Sequence, residues 1–344
     1  MAPADTSSLL CVSSMLRRDA WAFFLQDYPD RVFIDAILHI IDHGCDIGFL
    51  GDQNISQLCS NLSSMFLHPE AIVSDINLQL SHGRISGPFN MPPLPDFHSS
   101  PLGIATRKHS NKLHRIHHLS WPHGSSVNDG IPDSEASITY DMFQTAVSDI
   151  INFWHDLLMI KLDLEQAFCH IPVRPFDWPL LGFWLGAFFY EKFLTFGAQS
   201  APYIFNLFAE ALHWILQHHL PAFIRHYLDD FLQIFTPQTP LDIVYATLEW
   251  THALADSLGL CFQDSKVEGP TTCLEFLGIE LDSHAMEARL PSRKIEFLSS
   301  LLSQRKSKTH CTLLELQELT GYLQFCSQVI PYSCAFLCSF HLNI

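Results

Sequence analysis

The segment that most constrains the fold is residues 224–235, which read I-R-H-Y-L-D-D-F-L-Q-I-F. Two adjacent carboxylates, Asp229 and Asp230, interrupt an apolar and aromatic run that is bounded by Pro221 and Pro237. An apolar run of this length predicts two buried strands joined by a turn. Adjacent carboxylates in such a run repel each other and are costly to desolvate, so the pattern indicates a bound cation. A surface turn is the alternative, because Asp is common in turns.

A carboxylate elsewhere in the chain strengthens the cation hypothesis. Residues 157–164 form a second short apolar run, and Asp163 lies at its end. Carboxylates from two strands that meet at one edge of a sheet can hold two metal ions, and their hard oxygen atoms suit Mg²⁺. Two such ions stabilise the attacking and leaving oxygens of a phosphoryl transfer. A nucleic acid polymerase requires an arrangement of this kind.

The order of four motifs resembles that of reverse transcriptases. The first carboxylate motif, the Gly…Ser-x-Pro box, the Y-x-D-D box and the F-L-G hairpin correspond to residues 163–168, 194–202, 227–230 and 276–278. The amino-acid sequence of residues 116–130 and 269–282 is similar to that of polymerases from DIRS-type retrotransposons, which are tyrosine-recombinase elements. The resemblance extends over residues 21–330.

The resemblance implies an α+β fold, the right-hand polymerase with fingers, palm and thumb, whose palm is a ferredoxin-like split βαβ sheet. The predicted order of strand, helix, hairpin, helix and strand agrees with it. We expect a helical N-terminal extension over residues 1–87 and the fingers and palm over residues 88–290. A thumb-like helical segment is expected over residues 291–344, ending before any ribonuclease H module.

The function implied by the resemblance is that of an RNA-directed DNA polymerase of a retrotransposon. Asp163, Asp229 and Asp230 would bind two Mg²⁺ ions, with Mn²⁺ as a substitute and the Leu164 carbonyl as an additional ligand. One ion would activate the primer 3′-hydroxyl, and the other would bind the nucleoside triphosphate. The expected partners are an RNA or DNA template with its primer, deoxynucleoside triphosphates and other proteins of the same element.

Matching the family's motifs residue by residue also gives candidate nucleotide and primer contacts. Phe168 matches an aromatic gate that excludes a ribose 2′-hydroxyl by volume. Lys266 matches a basic residue that protonates pyrophosphate, with a solvent-exposed lysine as the alternative. The nucleotide-binding candidates are Arg107, Lys112, Arg115, Phe168, Gly197, Gln199, Tyr227 and Lys266, and the primer-contacting candidates are Phe276, Leu277 and Gly278.

Three positions depart from the family pattern and support a second hypothesis. Glu165 replaces a common Lys, Thr195 replaces a Pro, and His114 replaces an Arg, with Arg115 one place later. A His that is mostly neutral near pH 7 is a weaker phosphate ligand than a bidentate Arg. The alternative is therefore a degenerate, weakly active or inactive copy that still folds and binds nucleic acid. A metal-dependent nuclease is a further alternative, but the ordered motifs favour a polymerase.

The charge of the chain argues against nucleic acid binding, and its distribution weakens that argument. The formal net charge is −17, whereas nucleic acid binders usually carry a basic surface. Two local segments are basic, residues 107–123 and residues 289–308. No C-x-x-C pair, signal peptide or membrane-length apolar run occurs in the sequence. We therefore expect an intracellular protein of the cytoplasm or nucleus that is neither secreted nor in a membrane.

The hydrophobic periodicity also predicts the local elements that carry these motifs. One helix is expected over residues 21–41 and a strand over residues 260–267. Hairpins are expected over residues 180–193, turning near Gly186, and over residues 274–290. Further helices are expected over residues 200–218, with Ser200 as the N-cap, and over residues 241–258, 295–302 and 312–325.

Overall fold

The computed structural model describes residues 12–54, 56–106, 113–138, 143–153, 155–306, 308–330 and 333. The chain divides into two compact units that interleave along the sequence. Unit 1 comprises residues 1–140, 163–220 and 247–263, and unit 2 comprises residues 141–162, 221–246 and 264–344.

The described residues form the following α-helices, numbered in chain order. They are α1 Arg18–Phe24, α2 Arg31–His43, α3 Ser63–Leu67, α4 Pro69–Ser81, α5 Phe143–Phe153, α6 Ala201–His219, α7 Leu241–Leu258, α8 Ser292–Lys306 and α9 Leu313–Cys326. Every helix among these is too short or too polar to cross a bilayer.

The strands pair into four sheets. They are β1 Gln57–Leu58, β2 Ile85–Phe89, β3 His98–Ser99, β4 Leu102–Thr106, β5 Leu113–His117, β6 Leu158–Asp163, β7 Gly182–Trp184, β8 Phe188–Glu191, β9 Phe223–Tyr227, β10 Asp230–Phe235, β11 Glu268–Thr271, β12 Cys273–Phe276, β13 Ile279–Asp282 and β14 Glu287–Arg289. The sheet orders are β1-β3-β7-β8-β2, β11-β6-β10-β9, β12-β13-β14 and β4-β5.

Unit 1 contains the five-stranded sheet and the β4–β5 hairpin. Buried side chains from α3, α4, the sheet and the hairpin form a shared core: Met65, Ile72, Ile76, Ile85, Leu102, Ile104, Phe183 and Phe189. β4 and β5 are antiparallel and pair from Leu102 with His117 to Thr106 with Leu113. The segment between these two strands, including Arg107 and Lys112, lies outside the described residues.

The N-terminal helices pack directly against the rest of unit 1. Trp21 of α1 is fully buried, and its indole Nε1 donates to the Leu258 carbonyl at the end of α7, 2.9 Å away. The same ring packs edge to face on Phe208 of α6, with ring centroids 5.5 Å apart. A buried tryptophan with a satisfied N–H contributes strongly to packing, so α1 is part of the core of this unit.

Unit 2 contains the four-stranded sheet, α5, α8, α9 and the β12-β13-β14 sheet. The strands of the four-stranded sheet lie side by side in the order β11, β6, β10, β9. Numbered by their order along the chain, this is 4-1-3-2. That order is the split βαβ arrangement expected from the sequence, so the prediction of the palm architecture is confirmed. The core between this sheet, α5 and the three-stranded sheet includes Phe143, Ile150, Met159, Leu232, Ile234, Leu274 and Leu281.

The prediction of one helix over residues 21–41 is wrong, because the chain breaks between α1 and α2. Asp30 has extended backbone angles, and its side chain accepts hydrogen bonds from the amides of Val32 and Phe33. This is an N-cap, which starts a new helix. Pro29 also disfavours helical geometry at the residue before it. Apolar spacing alone did not reveal the interruption.

The prediction of a strand over residues 260–267 is also wrong. Only one bridge forms in this segment, between Phe262 and Leu164. Residues Asp264–Lys266 form a 3-10 helix instead, in line with the turn preference of Asp and Ser. The predicted hairpin turn at Gly186 is confirmed, with φ +68°.

The start of α6 differs from its predicted cap. The helix begins next to Ser200, but the hydroxyl of Ser200 donates to the carbonyl of Ile47, 2.7 Å away, and makes no hydrogen bond to the helix. The residue therefore ties α6 to the N-terminal segment of unit 1. Ser200 therefore occupies the predicted N-cap position, but its side chain does not cap the helix, because its hydroxyl is directed to the Ile47 carbonyl.

Candidate active site

The Asp229–Asp230 pair lies at a tight hairpin in unit 2. β9 and β10 are antiparallel, and Tyr227 pairs directly with Asp230, so Leu228 and Asp229 form a two-residue turn. Leu228 has φ +53°, an unfavourable conformation for a branched residue. The two strands are largely buried, whereas both carboxylates are half-buried. The hairpin predicted from residues 224–235 is therefore present, with the acids at its turn.

The strand that ends in Asp163 lies in the same sheet. β6 is hydrogen-bonded to β10 on one side and to β11 on the other. Asp163 is the last residue of β6, and Asp230 is the first residue of β10. The sheet of unit 2 therefore contains, as central neighbours, the two strands on which the sequence predicts the metal-binding carboxylates.

The backbone after Asp163 is held by a short antiparallel contact in unit 1. The amide of Gln263 donates to the Asp163 carbonyl at 2.9 Å, and the amide of Glu165 donates to the Cys261 carbonyl at 2.8 Å. These bonds flank the bridge between Leu164 and Phe262. In such a pattern the polar groups of the middle residue point away from the partner segment. The Leu164 carbonyl, which accepts no hydrogen bond from the described residues, thus faces away from residues 261–263.

Phe168 lies in a 3-10 helix, Ala167–His170, that follows this contact. Its ring is 8% exposed and packs edge to face on Phe196 at 4.7 Å and on Phe205 at 5.5 Å, between ring centroids. Phe196 itself is 70% exposed. Phe196 was missed by the sequence analysis, although its place beside Gly197 in the Gly…Ser-x-Pro box was the available signal.

Gly197 and Gln199 are fixed by a second residue that the sequence did not single out. The Asn128 amide nitrogen donates to the Gly197 carbonyl at 2.9 Å, and its oxygen accepts from the Gln199 amide at 3.0 Å. The Gln199 side chain donates to Asp133 at 2.9 Å. A Cβ at Gly197 would overlap the backbone carbonyl of His117. The close approach that requires glycine here is thus to the protein's own backbone.

Arg115 has two carboxylate partners in unit 1. Its Nε lies 2.6 Å from Asp75 Oδ2, and a terminal nitrogen lies 2.6 Å from Glu191 Oε1. The Arg115 side chain is only 12% exposed. Burial raises the pKa of Glu191, and the Arg115 charge opposes that rise. His114, the preceding residue on β5, is exposed, because successive residues of a strand face opposite sides.

The imidazole of His117, two residues after Arg115 on β5, is also buried in unit 1. Its Nε2 lies 3.1 Å from the Gly182 carbonyl, which can only accept, so Nε2 carries the proton. Burial, with the Arg115 charge as a further cause, lowers the pKa of His117 to about 3. The ring is therefore neutral at physiological pH.

The predicted primer-contacting residues form the turn between β12 and β13. Phe276 pairs with Ile279, and Leu277 and Gly278 both have positive φ, at +49° and +81°. Two consecutive positive φ values are typical of a type I′ hairpin turn. A Cβ at Gly278 would overlap the Lys294 ammonium, which itself lies 4.2 Å from the Phe325 ring centroid.

Lys266, the candidate proton donor, lies at the end of the 3-10 helix Asp264–Lys266 in unit 2 and is exposed. Both the catalytic and the solvent-exposed interpretations remain compatible with this position. Arg107 and Lys112 lie outside the described residues.

Comparison with known proteins agrees with the motif order. Residues 121–281 match the family model described as reverse transcriptase (RNA-dependent DNA polymerase). Protein P of duck hepatitis B virus (strain Germany/DHBV-3) is 26% identical over 179 residues, which cover 51% of this chain and 21% of the viral protein. Protein P of heron hepatitis B virus is 25% identical over 179 residues, with the same coverage of both chains.

Solved structures of foamy viral protease-reverse transcriptase share the fold. One in complex with double-stranded DNA has a TM-score of 0.64 at 14% identity, covering 94% of this chain and 55% of the viral one. Another, in complex with an RNA/DNA hybrid, has a TM-score of 0.59 at 14% identity, covering 94% and 43%. This chain therefore spans about a fifth of the hepatitis virus proteins and about half of the foamy virus chains. Residues 121–281 thus match the reverse transcriptase family model, and the fold of the chain is similar to that of the foamy virus enzymes.

Proposed function

We propose that this chain is an RNA-directed DNA polymerase that extends a primer 3′-hydroxyl with deoxynucleotides. The observation that carries the proposal is the order of the four-stranded sheet, in which β6, ending in Asp163, is the neighbour of β10, beginning with Asp230. Asp229 precedes Asp230 in the hairpin turn. The family match over residues 121–281 includes all three carboxylates.

The donor set suits hard divalent ions. Asp163, Asp229, Asp230 and the Leu164 carbonyl offer only oxygen atoms, which Mg²⁺ prefers and Mn²⁺ also accepts. When bound, two such ions stabilise the attacking 3′-oxygen and the pyrophosphate leaving group. The turn conformation at Leu228 fixes the direction of the backbone that presents Asp229.

Other residues of the matched motifs have binding and selection roles in this proposal. The buried Phe168 ring, covered by Phe196, excludes the ribose 2′-hydroxyl by volume. Tyr227 and Gln199 contact the nucleotide, and Lys266 donates a proton to pyrophosphate. The turn at Leu277 and Gly278 contacts the primer strand. Arg115 is omitted from the nucleotide-binding set, because a phosphate would have to displace Asp75 and Glu191.

The biological context belongs to the same proposal. The similarity of residues 116–130 and 269–282 to DIRS-type elements supports a retrotransposon as the source of this chain. Its partners are an RNA or DNA template with a primer, in line with the foamy virus structures that hold double-stranded DNA and an RNA/DNA hybrid. It acts inside the cell, in the cytoplasm or nucleus, with other proteins of its element.

A weakened or inactive copy is the second candidate, and one contact favours it. Arg115 is held on the inner face of β5, so it is not a substitute for the Arg that His114 replaces. The loss of one bidentate phosphate contact reduces nucleotide binding. In this case the protein binds primer and template but extends the primer slowly.

Primer extension by the purified chain distinguishes these functions. We expect Mg²⁺- or Mn²⁺-dependent extension on RNA and DNA templates, abolished by Asp229→Asn and unaffected by the matched change Asp35→Asn on the exposed face of α2. Extension that persists in Asp229→Asn would exclude this carboxylate from catalysis. Template binding without extension in either metal would favour the inactive copy.

A further inference from the structure

The loop between Asp163 and Phe168 carries two of the residues on which the proposed polymerase function rests. We infer that Arg84 is a positioning residue for this loop, because its buried guanidinium holds the side chain of Gln166 midway between them. The expected effect of Arg84 on nucleotide selectivity rests on the proposed function, whereas its effect on the position of the loop does not. The contact itself lies entirely within unit 1.

Arg84 is a buried cation with neutral partners. It is 7% exposed, and one terminal nitrogen donates to Oε1 of Gln166 and, at 3.3 Å, to Oε1 of Gln79. Among the described residues no carboxylate lies within ion-pair distance of its guanidinium. Glu191 feels the charge of Arg84, but its ion pair is with Arg115. A buried arginine is rare without a carboxylate, so its contact with Gln166 requires an explanation beyond charge pairing.

The backbone of Arg84 is fixed at both ends. Its amide donates to the Gln79 carbonyl at 2.9 Å, and its carbonyl accepts from the Lys192 amide at 2.8 Å. The first bond ties Arg84 to α4, and the second ties it to the chain that follows β8. The backbone of Arg84 is thus fixed within unit 1, and its side chain reaches Gln166 from this fixed position.

Gln166 is the residue at which the loop changes direction. Its φ and ψ are +49° and +42°, a left-handed conformation that a residue with a Cβ adopts at a cost. Its carbonyl accepts from the Cys169 amide at 2.8 Å and so begins the 3-10 helix that carries Phe168. A residue in a sparsely populated conformation persists only where its surroundings hold it. The Arg84 contact is such a restraint.

The other restraints on this loop act on backbone groups. The amide of Glu165 donates to the carbonyl of Cys261, and the carbonyl of Glu165 lies 2.8 Å from Nε2 of His170. These contacts fix the ends of the turn. Loss of the Arg84–Gln166 contact releases the middle of the loop and lets the ring of Phe168 move away from Phe196 and Phe205.

The test compares three variants in single-nucleotide extension with deoxy- and ribonucleotides. Gln166→Met removes the acceptor, and Gln166→Gly also removes it but makes the left-handed conformation unstrained. Gln79→Met is the matched control, because it removes the other hydrogen bond of the same arginine nitrogen. We expect the ratio of kcat/KM for deoxynucleotide to that for ribonucleotide to fall about tenfold in both Gln166 variants, the equivalent of one hydrogen bond to a charged group. Gln79→Met is expected to keep the wild-type ratio.

Hydrogen exchange gives a readout that needs no activity. The amides of residues 166–169 should exchange faster in both Gln166 variants and in Arg84→Lys than in wild type or Gln79→Met. If Gln166→Gly resembles wild type, backbone conformation alone sets the loop and the inference is overturned. If the wild type extends primers, the inference also fails when the Gln166 variants change only the nucleotide ratio or only the exchange rates. If the wild type does not extend primers, the proposed function fails, and exchange alone decides whether Arg84 positions the loop.

Discussion

Arg115 and Glu191 form an ion pair on the inner face of β5, with a nitrogen-to-oxygen distance of 2.6 Å and Glu191 almost fully buried. The pair turns Arg115 away from the face on which His114 lies. A one-residue shift along a strand moves a side chain to the opposite side. The basic residue next to His114 in the sequence is therefore structural, since its guanidinium is bound by Asp75 and Glu191.

The first prediction concerns the stability that this pair confers. Arg115→Met should lower the free energy of unfolding by about 3–5 kcal/mol, because it leaves Glu191 buried without its cation. The exposed pair of Arg18 and Asp42 is the control, and Arg18→Met should change stability by less than about 1 kcal/mol. Urea unfolding followed by circular dichroism measures both. Equal effects of the two substitutions would contradict the structural role of Arg115.

The second prediction concerns nucleotide use. His114→Arg should raise kcat/KM for deoxynucleotide by about tenfold, because a charge-assisted contact to phosphate is added on the exposed face of β5. Affinity for primer and template should change little. Steady-state extension at varied nucleotide concentration measures the first quantity, and fluorescence anisotropy with a labelled duplex measures the second. An unchanged kcat/KM would show that other cations already supply the contact.

The third prediction separates catalysis from folding at the carboxylates. Asp163→Asn and Asp229→Asn should each abolish extension, while the melting temperature without metal stays level or rises, since one negative charge is removed. Differential scanning calorimetry in the presence of EDTA tests the second half. A clear fall in melting temperature would identify these acids as structural residues.

The fourth prediction concerns Phe168 and Phe196, whose rings pack edge to face. Phe168→Ala should increase ribonucleotide incorporation but also destabilise the fold by about 3–5 kcal/mol, because the ring is buried. Phe196→Ala should leave stability almost unchanged, because this ring is 70% exposed. A shift in selectivity with Phe196→Ala would show that the outer ring also contributes to the gate. Unchanged selectivity in Phe168→Ala would remove Phe168 from that role.

The fifth prediction concerns acid stability. Burial, the largest cause, holds the pKa of His117 at about 3, below that of an unfolded histidine at about 6.5. Between these values the unfolded state binds more protons, so the contribution of His117 is complete above about pH 6.5 and is lost as pH falls towards 3. The loss approaches about 1.4 kcal/mol per pH unit.

The matched variant for this prediction is His117→Gln, which stays neutral and can still donate to the Gly182 carbonyl. Urea unfolding at pH 7, 6 and 5 should show a smaller decline in stability for the variant than for the wild type. Parallel declines would assign the acid sensitivity to other groups.

Local patterns were sufficient for several elements of this protein. Alternating and continuous apolar runs predicted the β9–β10 hairpin with Asp229 at its turn, and apolar residues at helical spacing predicted α6 and α7. The resemblance to reverse transcriptases implied the split βαβ order, and the order of the predicted elements agreed with it. The hairpin and the helices depend on neighbours a few residues apart, so the sequence carries them directly. The single helix over residues 21–41 failed because apolar spacing continues through the turn that Pro29 and Asp30 introduce.

The sequence by itself thus determined which carboxylates and aromatic residues occur in which motif, and which strands carry them. Only the tertiary structure decided what Arg84, Asn128 and Arg115 do, because Gln166, Gly197 and Asp75, the partners that define their roles, lie between 40 and 82 positions away along the chain. Hydrogen bonds and ion pairs of this kind depend on how strands and loops pack in space. No local periodicity records which buried acceptor a guanidinium or an amide will meet.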